Sequence, residues 1–155
     1  MILAYKHISP GEGHAVGRQL LSQMYRAYTG KEMPEIRITD RGKPYFPESD
    51  LHFSISHTKN YVFCALSDRP IGIDAEEADR NIDLRLAEKI LSPSEKAQYD
   101  ASADKRTALL TFWVLKEAHA KSTGDGLQGY PNKTNFRLDD PRIQKIDNCL
   151  VAVIG

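Results

Sequence analysis

Neither sign of charge is in excess along this chain. Lysine plus arginine and aspartate plus glutamate each number 21 in 155 residues, so the formal net charge is zero. A basic footprint of the kind that grips nucleic acid is therefore absent at the whole-chain level, and only a local patch is left open. No apolar run approaches the length that spans a bilayer. The first ten residues are not expected to be a secretory leader, because their apolar run is short and Lys6 and His7 interrupt it. Cysteine is scarce: Cys64 and Cys149 each sit in an apolar run that reads as a strand. Buried, reduced thiols in a cytoplasmic protein are the expectation. The five histidines show no His-Glu-x-x-His spacing, so a zinc site is rejected. No Gly-x-x-x-x-Gly-Lys-Ser/Thr loop is present, which excludes a P-loop nucleotidase. Ser56 and His57 are sequence neighbours, and no third member completes a nucleophilic triad. Internal repeats, low-complexity tracts and long linkers are lacking too.

What is present is organised around the stretch from Phe112 to Leu127, a helix ending in a glycine-rich turn. Apolar residues at Ala108, Leu109, Leu110, Phe112, Trp113, Val114, Leu115 and Ala118 are too many for one stripe, so this helix should be buried on most of its circumference. It is expected to begin near Asp104. Upstream, Ile2–Tyr5 reads as a short strand and His14–Tyr28 as a helix closed by Gly30. Ile36–Ile38 is a strand candidate, followed by a polar loop over residues 39–44. The runs Leu51–Ile55, Tyr61–Leu66 and Ile71–Glu76, separated by short turns, predict a three-strand antiparallel meander. Leu84–Leu91 is expected to be helical. Ser92-Pro93-Ser94-Glu95 carries the cap, first-turn proline and return carboxylate of a second helix start. Phe136–Leu138 and Cys149–Ile154 are the late strand candidates.

The chemistry-bearing residues fall on these elements. Trp113, Glu117 and Lys121 are spaced i, i+4, i+8 and share one helix face. Asp74 and Glu76, one residue apart at a strand end, point to the same side of it. Two readings stand for these groups. In the first, Glu117 and Lys121 pair with each other and Asp74 and Glu76 are a solvated surface pair. In the second, three carboxylates converge, repel one another and need a cation among them. Mg²⁺ then suits the oxygen ligands, and Lys116, Lys121, His57 and Lys43 would surround a pyrophosphate.

The residues Gly42-Lys43-Pro44, Phe53-Ser54-Ile55-Ser56-His57, Gly72-Ile73-Asp74-Ala75-Glu76 and Trp113-Val114-Leu115-Lys116-Glu117-Ala118, with Lys121 and Gly124-Asp125-Gly126-Leu127, resemble in order and spacing the 4′-phosphopantetheinyl transferases. The Ser-His motif precedes the aspartate motif, as in the surfactin-synthetase-activating type. The resemblance implies an enzyme that moves the 4′-phosphopantetheine arm of coenzyme A onto a serine of an acyl or peptidyl carrier protein, releasing adenosine 3′,5′-bisphosphate. By motif position, Asp74, Glu76 and Glu117 would hold Mg²⁺. Glu117 would take the serine proton directly or through water. Lys121 would stabilise the attacked phosphate, and Lys116 and His57 would bind phosphates. Lys43, Pro44 and Ser56 would contact the adenosine 3′-phosphate end. Glu95 matches a recurring acidic position. Ala75 departs from the larger apolar residue usual there.

The fold so implied is α+β: two pseudo-twofold-related lobes of antiparallel sheet plus long helix, about 1–68 and about 69–155 of one domain, with the first lobe trimmed. The partners implied are coenzyme A and a carrier protein, with neither nucleic acid nor a membrane. A monomer is expected, and the shortened first lobe leaves a dimer open. The rival to a transferase is a binding module that holds coenzyme A or a carrier without turnover, although a costly carboxylate cluster serves a pure binder poorly.

Overall fold

A computed structural model describes residues 1–126 and 131–155. The architecture is α+β, with antiparallel sheets and helices packed on them. Strand β1 (Ile2–His7) precedes helix α1 (Gly13–Thr29), which ends at Gly30 with a left-handed φ of 73°. Two short strands, β2 (Arg37–Ile38) and β3 (Pro44–Tyr45), form a small ribbon. The hairpin β4 (His52–His57) and β5 (Tyr61–Ser67) joins β1 in a sheet of order β1-β5-β4. Strand β6 (Gly72–Glu77) begins the second half. A 3₁₀ turn at Leu84–Leu86 runs into the single-turn helix α2 (Ala87–Ile90), then come α3 (Pro93–Ala101) and the long helix α4 (Lys105–Thr123). A hairpin of β7 (Ile143–Ile146) and β8 (Cys149–Ile154) closes the chain, giving a second sheet of order β6-β8-β7.

Local signals set the helix ends. Asp104 accepts from the Thr107 N–H at 3.1 Å and from its hydroxyl at 2.7 Å, capping α4. Gly124, at φ 78°, ends it. In α3 the capping box is complete: Ser92 Oγ accepts from the Glu95 N–H, and Glu95 Oε1 accepts from the Ser92 N–H at 2.9 Å.

Strand alternation sorts the core into three clusters. Val62, Cys64 and Leu66 of β5 pack with Phe53 against Leu20, Leu21 and Met24 of α1. Phe63 and Ala65, on the opposite face of β5, meet Ile71, Ile73 and Ala75 and the Cys149, Val151 and Val153 series of β8. Ala152 and Ile154, alternating away, pack against Leu109, Phe112 and Leu115 of α4. Each large side chain so buried stabilises the fold by about 1.5–3 kcal/mol. Both cysteines are fully buried thiols, and burial pushes each up to about 12.

The same alternation aims β6 at α4. With Ile73 and Ala75 turned into the third cluster, Gly72, Asp74 and Glu76 face the helix. At Gly72 the approach is so close that an added Cβ would collide with the Ala118 carbonyl oxygen and lie 2.5 Å from the Ser122 nitrogen. The glycine therefore sets the strand-to-helix distance.

Three expectations are corrected. The meander stops after two strands: β6 pairs with β8, not with β5, whose second edge is taken by β1. The edge of β6 toward β4 is closed instead by side chains. Ser54 and Ser56 Oγ accept the N–H groups of Ile73 and Ala75 at 3.0 and 3.1 Å, satisfying donors that would otherwise be buried unpaired. Phe136–Leu138 is not a strand. Its backbone is held by side chains, with the Phe136 N–H donating to Glu95 and the Leu138 N–H to Gln98. The partner of β8 is Ile143–Ile146. Only the second half of Leu84–Leu91 is α-helical, after the 3₁₀ turn. Leu127, the last motif residue, lies outside the described residues.

Candidate active site

One cavity of about 360 Å³ is lined by Ser56, His57, Asp74, Glu76, Arg80, Trp113, Glu117 and Lys121, among others. Two elements supply its acids. Strand β6 presents Asp74 and Glu76 on its α4-facing side, and α4 presents Trp113, Glu117 and Lys121 at helical spacing. The acids are thus brought to one wall from positions more than forty residues apart in sequence.

Asp74 is buried, and its Oδ1 accepts from Lys121 Nζ at 2.8 Å and from Ser56 Oγ at 3.1 Å. Its other oxygen, Oδ2, is a buried side-chain atom with no hydrogen-bond partner among the described residues. A carboxylate oxygen stripped of water in this way is costly unless a cation reaches it. Burial pushes the Asp74 carboxyl up, and the Lys121 ammonium offsets part of that rise. Glu117 and Glu76 are also raised, first by burial and then by neighbouring charge. Asp74 repels the charge on both, Lys121 offsets the rise at Glu117 and Arg80 offsets it at Glu76. Three acids in one wall, Asp74 buried and Glu76 and Glu117 half-buried, thus hold protons more tightly than usual, as a site short of positive charge would. Among the described residues, no three His, Cys, Asp or Glu side chains stand close enough to hold one ion as they are. Asp74 leans to Lys121, and Glu76 is ion-paired with Arg80.

His57, at the end of β4, lines the same cavity. Its ring lies against the first turn of α1, where a Cβ on Gly13 would come within 2.6 Å of its Nδ1. The turn that follows is tied down by Glu77, which accepts from Thr58 Oγ1 at 2.7 Å and from the Asn60 N–H at 2.9 Å.

A second cavity, of about 180 Å³, shares Glu117 and Lys121 with the first. Pro44, Phe53, Ile55 and Ala120 give it an apolar lining, and Arg41 and Lys43 also border it. Lys43 Nζ donates to the Ser122 carbonyl at 2.7 Å, and Arg41 pairs with Asp125 at 2.5 Å, so the 39–44 loop is fastened to the end of α4. Burial holds the Lys43 ammonium below the ordinary lysine range.

Two expected residues stand elsewhere. Ser56 faces the acids rather than the apolar cavity, since its hydroxyl bridges Asp74 and the Ala75 N–H. Lys116 turns away from both cavities. It is 2% exposed, and its ammonium donates to Glu95 Oε1 at 2.6 Å and to Thr134 Oγ1. Adjacent helix positions are about 100° apart, so the neighbour of a cleft-facing Glu117 faces the core. Arg80 was not singled out from the sequence. The one available signal was an arginine four residues after Glu76.

A sequence profile of the 4′-phosphopantetheinyl transferase superfamily matches residues 70–150. Among curated proteins, the chain is 33% identical over 112 residues to the 4′-phosphopantetheinyl transferase gsp of Aneurinibacillus migulanus, covering 71% of this chain and 46% of that one. It is 36% identical over 121 residues to the 4′-phosphopantetheinyl transferase HetI of a Nostoc species, covering 72% and 51%. Against the 4′-phosphopantetheinyl transferase Sfp of Bacillus subtilis the identity is 33% over 120 residues, covering 74% and 51%. The chain therefore spans about half the length of the curated relatives it matches.

Proposed function

Because this chain belongs to the 4′-phosphopantetheinyl transferase superfamily, of the kind that includes Sfp, we propose that it transfers the phosphopantetheine arm of coenzyme A to a carrier-protein serine with the help of Mg²⁺. The observation that carries this reading is the orphaned Oδ2 of Asp74, in a wall shared with Glu76 and Glu117. That donor set fits a hard divalent cation, which would be held by Asp74, Glu76 and Glu117. When bound, the cation would neutralise charge on the pyrophosphate.

The chain's own residues do the rest. Lys121, already 2.8 Å from Asp74, is placed to donate to the phosphate that is attacked. His57, lining the same cavity, donates to phosphate oxygens. Glu117 accepts the proton of the carrier serine as its oxygen attacks phosphorus, and adenosine 3′,5′-bisphosphate leaves. Burial and the neighbouring Asp74 charge raise the Glu117 carboxyl, so it takes up a proton more readily than an ordinary glutamate. The apolar cavity bordered by Lys43 and Arg41 takes the adenosine end, with Pro44 and Phe53 against the base. Lys116 and Ser56 act indirectly, Lys116 by fixing α4 and Ser56 by fixing Asp74. On this reading the chain is one domain of two lobes, about 1–68 and 69–155. It works in the cytoplasm as a monomer, with coenzyme A and an acyl or peptidyl carrier as its partners.

The test is to incubate the full chain with coenzyme A, Mg²⁺ and several apo carrier proteins and to weigh the carriers intact. Gain of one pantetheine arm is expected on at least one, and no gain on any overturns the proposal. Glu117→Gln is expected to slow transfer by roughly 100-fold or more while the protein stays folded. Unchanged transfer would remove Glu117 from its role.

A further inference from the structure

The acid cavity contains a cation that the transfer chemistry does not use. Arg80 lies just past the end of β6, four residues after Glu76. Its Nη1 is ion-paired with Glu76 Oε1. Its guanidinium carbon lies 5.6 Å from the centre of the Trp113 ring, and Trp113 lines the same cavity. The arginine side chain is 39% exposed and the glutamate 19%, so the pair sits at the cavity mouth, half out of water.

We propose that Arg80 is a resident counter-ion that competes with the divalent cation for Glu76 and so sets how tightly the site takes up the ion. This rests on the reading of the cavity as a cation site. Asp74 offers an uncommitted oxygen to an ion, whereas Glu76 has an oxygen committed to a guanidinium. A guanidinium and a divalent ion on one carboxylate repel, and at this half-buried position the repulsion is screened less than in bulk water. Loading the ion therefore requires Arg80 to leave Oε1. Trp113, whose ring face already holds the guanidinium, can keep it once it leaves the acid oxygen, because the contact does not use that oxygen. The exposed stem lets it swing toward solvent. Three carboxylates facing only Lys121 would repel strongly, so the same pair lessens repulsion in the wall until an ion arrives. The failure of these acids to converge on a common point is consistent with the two side-chain cations that hold Asp74 and Glu76.

The experiment is a titration of the full chain with Mn²⁺ alone, following the free-ion signal by electron paramagnetic resonance. Arg80→Gln is expected to bind Mn²⁺ more tightly than the parent, on the order of tenfold, because a competing charge-assisted contact is gone. Arg80→Lys, which lacks the planar fork and stacks less well on Trp113, should fall between the two. Glu76→Gln should bind more weakly than the parent. Circular dichroism verifies that each variant is folded, and the lysine variant carries the test if the glutamine variant is not. Unchanged or weaker Mn²⁺ binding in Arg80→Gln and Arg80→Lys overturns the proposal. If in that case coenzyme A binding weakens, Arg80 is a phosphate ligand instead. Parent protein that binds Mn²⁺, with no tightening in the variants, sinks this proposal and leaves the transferase reading intact. Parent protein that takes up no Mn²⁺ at all sinks the cation site and this proposal together.

Discussion

Gly72→Ala is expected to lose about 3 kcal/mol of folding stability and, with it, nearly all of the proposed transfer activity. A strand accepts alanine at this position as far as backbone angles go, so the whole effect is steric. The new methyl would be driven into the Ala118 carbonyl and the Ser122 nitrogen. Both are main-chain atoms of a buried helix, and no side chain can rotate away to admit the methyl. Strand β6 and helix α4 must part, and these two elements carry Asp74, Glu76, Glu117 and Lys121. Urea denaturation of parent and variant measures the loss. A change below about 0.5 kcal/mol would mean that the strand-to-helix distance is not set at this residue.

The second large effect lies at a pair outside the cleft. Lys116→Met should destabilise the protein by about 3–5 kcal/mol, because it leaves the Glu95 carboxylate buried without its cation. Glu95 is a hub: Oε1 accepts from Lys116 and the Ser92 N–H, and Oε2 from Thr134 Oγ1 and the Phe136 N–H, each at 3.0 Å. It therefore joins the start of α3, the middle of α4 and the 134–136 segment at one buried point. Burial pulls the Lys116 ammonium down, and the Glu95 partner offsets part of that. Adding Glu95→Gln to Lys116→Met removes the stranded charge but keeps an acceptor for only one of the two backbone donors, Ser92 N–H and Phe136 N–H, so it should recover part of the loss. Equal instability of the double and single variants in urea titration would show that packing, not charge, dominates there.

What could be read in advance follows the range of the forces involved. The common face of Trp113, Glu117 and Lys121 and the common side of Asp74 and Glu76 come from the periods of helix and strand, which are properties of a few consecutive residues. The caps at Ser92 and Asp104 are equally local. The partner of β6 was not legible, because its ladder runs to residues 149–154 and the apolar β5 next door looked adequate. Nothing in the local sequence says that two serines would close the free edge of β6. Lys116 was legible in principle: one helix step from Glu117 already turns it toward the core. Arg80 was not, since it lies in irregular backbone beyond β6, where no periodicity fixes the direction of a side chain.

The measurement that bears most directly on the proposed cation site is the thermal midpoint across pH, with and without Mg²⁺. Asp74, Glu76 and Glu117 are all raised from ordinary values of 3.8 and 4.5, so the folded chain holds their protons more tightly than the unfolded one. Their contribution to stability therefore falls as pH rises from about 4 through their folded values. An ion that takes the place of those protons restores it. Acids held low by arginines remote from the cavity, such as Asp83 and Asp139, titrate alike in both conditions and cancel in the difference. Mg²⁺ should thus raise the midpoint little near pH 4 and increasingly toward pH 8, and Glu76→Gln should shrink that rise. A midpoint indifferent to Mg²⁺ at every pH would contradict the claim that these three acids surround one ion.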